Sequence, residues 1–176
     1  MNVQEYIDQT YDPMDGCQKI EAARALSPYT DQPRVMDALC EAAVNTTDYA
    51  VREAIVNVLK VHNPAGASMR FADTALWSSN PVARKWALAN LSLLGCRDAK
   101  DAVISGLYDP DPAVRKAAAM NAGLYADEGV KMALDHYMQN HRLDLSLSLI
   151  ADRLQSLRNR IARPDEDEDC AMTVLI

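Results

Sequence analysis

Apolar residues recur every three or four positions along most of this chain, and turn-forming residues interrupt them at regular intervals. A short run at Val3, Tyr6 and Ile7 comes first, followed by Pro13 and Gly16. Ile20, Ala23 and Leu26 make a second run over 17–26, which Ser27 and Pro28 end. Pro33, suited to a first helical turn because its missing N–H is not needed there, opens a run through Val35, Met36, Leu39 and Ala43. After Asn45, Thr46 and Thr47, apolar residues return at Val51, Ala54, Ile55, Val58 and Leu59, the i, i+3, i+4, i+7, i+8 stripe of a half-buried helix. The same grammar predicts a break at 64–66, a helix over about 68–77, and a helix burying Ala83, Trp86, Ala87 and Leu91. Gly95 stands at the C′ position of that helix. A pair over 99–108 and 112–125 follows, then a last pair over 128–139 and 143–163.

The breaks have a period. Asp111-Pro-Ala-Val-Arg115 has degraded copies at Asp48-Tyr-Ala-Val-Arg52 and Asn80-Pro-Val-Ala-Arg84, with the arginines 32 and 31 residues apart. Asp15 lies 33 residues before Asp48, so 17–26 reads as a worn first copy. Its Lys19 stands where Arg52 does, and polar Gln18 where Val51 does. A period of 20–50 residues marks stacked supersecondary units, and terminal units lose consensus because one face meets water. Asp48 and Asp111 are expected N-caps, their carboxylates accepting from the free N–H groups of the next turn. The last pair lacks the signature, since Ser146 stands where an arginine is expected, and its second helix reads as a C-terminal cap.

Composition narrows the fold to all-α. Hydrophobic residues make up 49% of the chain but aromatics only 6%, so the core must be built from Ala, Leu, Val, Ile and Met. Alanine lets helices approach closely and is the best helix former, whereas sheets favour aromatic and β-branched residues. The net charge of −7 is local. Five acids stand together at 165–169; without them twenty acids face eighteen bases, a body of about −2. Such a body has no basic footprint for a phosphate backbone, so nucleic acid is not an expected partner. The acid block self-repels and predicts a disordered tail over 164–176. No apolar run reaches the roughly 18 residues of a membrane span.

Candidate chemistry is sparse. No Gly-rich phosphate loop, His-Glu-x-x-His or Gly-x-Ser-x-Gly occurs, so no catalytic residue and no cofactor is expected. His136 and His141 are five apart, off the spacing that puts two ligands on one helical face, and no metal site is expected. Cys17, Cys40, Cys96 and Cys170 are scattered; they read as free thiols in a reducing compartment, the first three as small core residues. With no signal-peptide pattern at the N-terminus, the cytoplasm is the expected location.

The motif Asp-x-x-Val-Arg-x-x-Ala, opening the second helix of each pair at a period near 31, resembles the short HEAT-like repeats of the phycobilisome-lyase type. The resemblance covers 34–126 well and the flanks weakly. It implies a right-handed α-solenoid of about four helix pairs over 1–163, with 1–32 as N-terminal cap, 33–126 as the best-matching repeats and 127–163 as C-terminal cap. It implies a ladder in which each arginine contacts the aspartate of a neighbouring repeat, stacking Asp48, Asn80 and Asp111 with Arg52, Arg84 and Arg115. Uncharged Asn80 would make one weaker rung. It also implies a concave face lined by second helices. The outward positions there are Glu53, Lys85 and Lys116, then Asn57, Ala89 and Met120 one turn on. Trp86, where the copies have Ala54 and Ala117, is either a core filler or a binding anchor. Asn90 and Asn121, where Val58 stands earlier, either bond a neighbouring helix's carbonyl or make specificity contacts in a groove. The expected function is a non-catalytic scaffold, adaptor or regulator binding another protein. The alternative is a bilin-lyase-like or lyase-accessory role on phycobiliproteins, with Arg84, Lys85 and Trp86 facing the chromophore's propionates.

Overall fold

The computed structural model describes residues 2–12, 15–140 and 147–163. Among them the chain forms ten α-helices and no strand: α1 (Val3–Tyr11), α2 (Gly16–Leu26), α3 (Pro33–Asn45), α4 (Tyr49–His62), α5 (Pro64–Trp77), α6 (Pro81–Leu94), α7 (Lys100–Leu107), α8 (Pro112–Ala122), α9 (Glu128–Asn140) and α10 (Leu147–Ala162). They pack as consecutive pairs. First helices stack on one another from α1 through α3, α5 and α7 to α9, and second helices from α2 through α4, α6 and α8 to α10. This is an all-α solenoid. It holds five pairs where about four were expected, because α1 and α2 stack just as the later pairs do. Asp15 explains why: its carboxylate accepts from the N–H groups of Cys17 and Gln18, the cap that the repeat requires.

The same cap recurs at each later second helix that carries the motif. Asp48 accepts from Ala50 and Val51, Asn80 from Val82, and Asp111 from Ala113 and Val114. Gly95 ends α6 with φ +72°, the left-handed conformation that glycine adopts without Cβ strain. The expected break at 64–66 is instead the first turn of α5. Pro64 sits at its first position, and Asn63 Oδ1 accepts from the N–H of Gly66 at 3.0 Å. Helix α8 stops at Ala122, short of Tyr125, whose buried ring follows outside it.

The core runs the length of the stack and is built from small aliphatic residues, among them Ala23, Ala43, Ala87, Ala118 and Ala119 at full burial. Gly106 of α7 has no room for a methyl group between the layers. A Cβ there would lie 2.9 Å from both Ala118 Cβ and Leu88 Cδ1. The buried stripe of α4 is Val51, Arg52, Ile55, Val56 and Leu59, rotated from the expected one so that Val58 is only half-buried. Among the described residues no helix is long and apolar enough to cross a membrane. His141, Ser146, the first four residues of the expected helix over 143–163, and the acidic tail over 164–176 lie outside the described residues.

Candidate functional site

The patterned arginines first do local work. Each reaches back six residues to a carbonyl at or just past the end of the preceding first helix: Arg52 to Thr46, Arg84 Nη1 to Ser78 at 2.9 Å, and Arg115 Nη1 to Asp109 at 3.0 Å. Arg52 adds a bond from Nε to the Ala43 carbonyl at 3.2 Å. Carbonyls at a helix C-terminus have no partner within the helix and carry the negative end of its dipole, so a guanidinium satisfies both needs. The residue receiving the arginine also braces the next cap. Thr46 Oγ1, Ser78 Oγ and Asp109 Oδ1 accept from the backbone N–H of Asp48, Asn80 and Asp111. The signature is thus a clamp on the tight turn between the two helices of a pair.

The ladder implied by the resemblance takes different partners. Asp48, Asn80 and Asp111 direct their side-chain oxygens to their own helix N-termini. The rung from Arg84 goes instead to Asp109, two residues before the cap. It is a bidentate pair with Nε–Oδ2 at 2.7 Å and Nη2–Oδ1 at 2.9 Å, its side chains 13% and 9% exposed. Burial pushes the Asp109 carboxyl up. The Arg84 hydrogen bond, the Asp111 N–H and the charges of Arg84 and Arg115 outweigh that and hold it below the usual carboxylate range. Arg84 is raised in turn, chiefly by its bond to Asp109.

One repeat earlier the corresponding position is Ser78, which carries no charge. Arg52, 2% exposed, therefore has no carboxylate within salt-bridge distance among the described residues and lies against Trp86, its Cζ 3.4 Å from the ring centroid. Lys85 Nζ is 4.0 Å from the same centroid. Contact between a cation and an aromatic face is favourable and strengthens where water is excluded. Burial pushes the Arg52 pKa down, with the Asp48 carboxylate acting in the opposite sense. Beside this stack a groove of about 280 Å³ opens across α4, α6 and α8, lined by Tyr49, Arg52, Trp86, Ala89, Ser92, Leu93, Ala117, Met120 and Asn121. Its lining is mainly apolar, and Tyr49 and Leu93 stand exposed at its edges.

Four of the residues expected on this face, Trp86, Ala89, Met120 and Asn121, meet in the groove. Lys85 is half-buried against Trp86, while Glu53, Asn57 and Lys116 are exposed outside the groove. Asn90 is not on the face at all. It is 0% exposed inside the stack, and neither its Oδ1 nor its Nδ2 has a hydrogen-bond partner among the described residues. Asn121 takes the bond to a neighbouring helix, its Nδ2 donating to the Leu88 carbonyl, while its Oδ1 stays unpartnered. Tyr49, Arg52, Ser92, Leu93 and Ala117 were missed as groove residues. Only Arg52 left a signal, the serine at position 78 of the aligned repeats where the next copy has aspartate.

The cysteines divide by burial. Cys40 is buried and its thiol is pushed up to about 12, mostly by desolvation, with Asp37 adding to the effect. Cys96 is half-buried, and Cys17 is exposed rather than the core residue expected, because α2 turns it outward. His136 meets the Tyr108 ring at a tilt of 41°, centroids 5.3 Å apart.

Residues 71–151, from within α5 to the start of α10, match the family model of HEAT repeats. The match supports a HEAT-like repeat protein, and repeats of this kind commonly serve as protein-interaction scaffolds. No curated protein matches the chain.

Proposed function

We propose that this protein is a non-catalytic scaffold or adaptor that binds another protein along the face made by its second helices. The observation that carries the reading is the groove across α4, α6 and α8. It is a continuous apolar surface shared by three repeats, with aromatic and aliphatic side chains left open to solvent. Large apolar side chains beside a cation are the composition of interface anchors, and stacked repeats present extended surfaces suited to them. Free Cys17, Cys40 and Cys96 suit a reducing compartment such as the cytoplasm.

The test is affinity capture from host lysate with charge reversals on each face. Glu53→Lys with Lys116→Glu alters the second-helix face, and Arg34→Glu with Asp101→Lys alters the first. The expected result is a partner retained by the first-helix variant and lost by the second-helix variant. The reverse pattern, or equal retention by both, would overturn the assignment. The bilin-handling alternative rests on the resemblance alone, and visible absorbance after mixing with a bilin tests it.

A further inference from the structure

Resting on the protein-binding reading, we propose that the groove receives an acidic, apolar peptide segment, its leucine-like side chains on Trp86, Leu93 and Met120 and its carboxylates on Arg52, Lys85 and Lys116. The charge argument begins with the missing rung. Arg84 has Asp109 from the next repeat, but Arg52 meets Ser78 at that position and is left with two backbone carbonyls and an aromatic ring. Its Nη1 makes no hydrogen bond among the described residues. A desolvated guanidinium with no carboxylate in ion-pair contact gains more from one than an exposed guanidinium does, because the surrounding dielectric is low.

Two lysines extend the positive charge. Lys85 lies at the Trp86 ring, and Lys116, outside the groove lining, is exposed one residue before Ala117; exposed Glu53, one residue after Arg52, is the acid on this face that opposes them. The second independent feature is Asn121. It is 1% exposed in the groove wall, and its Oδ1 lacks a donor. Arg52 thus offers a donor for a carboxylate, and Asn121 places an unsatisfied acceptor within the same wall. Between them the lining is apolar. A basic peptide meets like charge here, and a polar one leaves Leu93 and Met120 uncovered.

The experiment measures anisotropy of three fluorescein-labelled twelve-residue peptides added to the full chain. One is built of Glu, Leu and Ser; the second has Lys for Glu; the third has Ser for Leu. Only the first is expected to bind, at least tenfold more tightly than either other, with affinity falling as salt rises. Lys85→Glu with Lys116→Glu should weaken it tenfold or more, with circular dichroism confirming the fold because Lys85 also rests on Trp86. Arg52→Lys provides a second variant that keeps the charge but loses the planar fork.

Equal binding of the Lys peptide, or no effect of the lysine reversals, would overturn the proposal while leaving the scaffold reading intact. Binding that emerges only after Val174→Ser, Leu175→Ser and Ile176→Ser would give the groove to the chain's own tail and overturn an external partner. Binding of none of the peptides by any variant would overturn it as well, whereas loss of face-dependent capture would sink the scaffold reading itself.

Discussion

Asn90 is the residue most at odds with its surroundings. A buried amide with neither donor nor acceptor satisfied costs about 1–3 kcal/mol relative to an apolar group of the same shape. The repeat already supplies that group, since Val58 stands at the matching position of α4. Asn90→Val should therefore stabilise the fold by about 1 kcal/mol, raising Tm by roughly 2–4 °C. A lower Tm by calorimetry would mean that the amide is paired in solution. Cys40 gives a second expectation at this scale. With its thiol pushed up to about 12 and its side chain buried, it should resist iodoacetamide at pH 8 in the native protein, while exposed Cys17 is labelled. Peptide mapping by mass spectrometry distinguishes the two sites.

At the level of elements, α2, α4, α6 and α8 are each held at their start by one side chain. Removing an N-cap carboxylate costs about 1 kcal/mol. Asp111→Ala should lower Tm by roughly 2–4 °C, because the N–H groups of Ala113 and Val114 lose their acceptor. Asp111→Asn should recover most of this, as Asn80 caps α6 without a charge. Equal loss in both variants would assign the effect to something other than the cap. The first helices vary in this respect. Helix α1 is capped by Asn2, α5 by Asn63, and Asp127 Oδ1 accepts from the Val130 N–H in the first turn of α9, whereas α3 and α7 open with no side-chain cap. Their placement depends on the arginine clamps at their far ends and on packing as close as that at Gly106.

At the scale of the whole molecule, the Arg84–Asp109 pair joins the repeat of α5 and α6 to that of α7 and α8. Removing one partner of a nearly buried pair costs about 3 kcal/mol, so Asp109→Asn should lower Tm by on the order of 10 °C at pH 7. The folded state holds the Asp109 carboxyl below its ordinary value. Its contribution is therefore fully present above the unfolded pKa near 4 and is lost as pH falls through the lower folded value. The wild-type protein should lose stability on acidification below about pH 4, and Asp109→Asn should flatten that limb in urea titrations at a series of pH values. Parallel curves would show that the acid sensitivity lies elsewhere, for example at Asp127. That carboxyl is held low by the hydrogen bond from Lys100, with the Val130 N–H assisting and burial opposing.

The solenoid was legible in the sequence because its devices are local. An N-cap acts within three residues, a proline fixes its own φ, and the apolar stripe repeats with the helical period, so Asp48, Pro112 and Gly95 could be placed from neighbours alone. Tertiary structure decided which side chains from different repeats meet. The rung runs from Arg84 to Asp109 rather than to a cap, since the caps already hold their own helices. Asn90 went inside and Asn121 to a groove wall from equivalent positions, because the packing around α6 and α8 is not identical. Most of all, Arg52 became a buried cation on Trp86 through a serine 26 residues downstream. Periodicity records how often a position recurs; what lies opposite it depends on how one repeat is laid on the next.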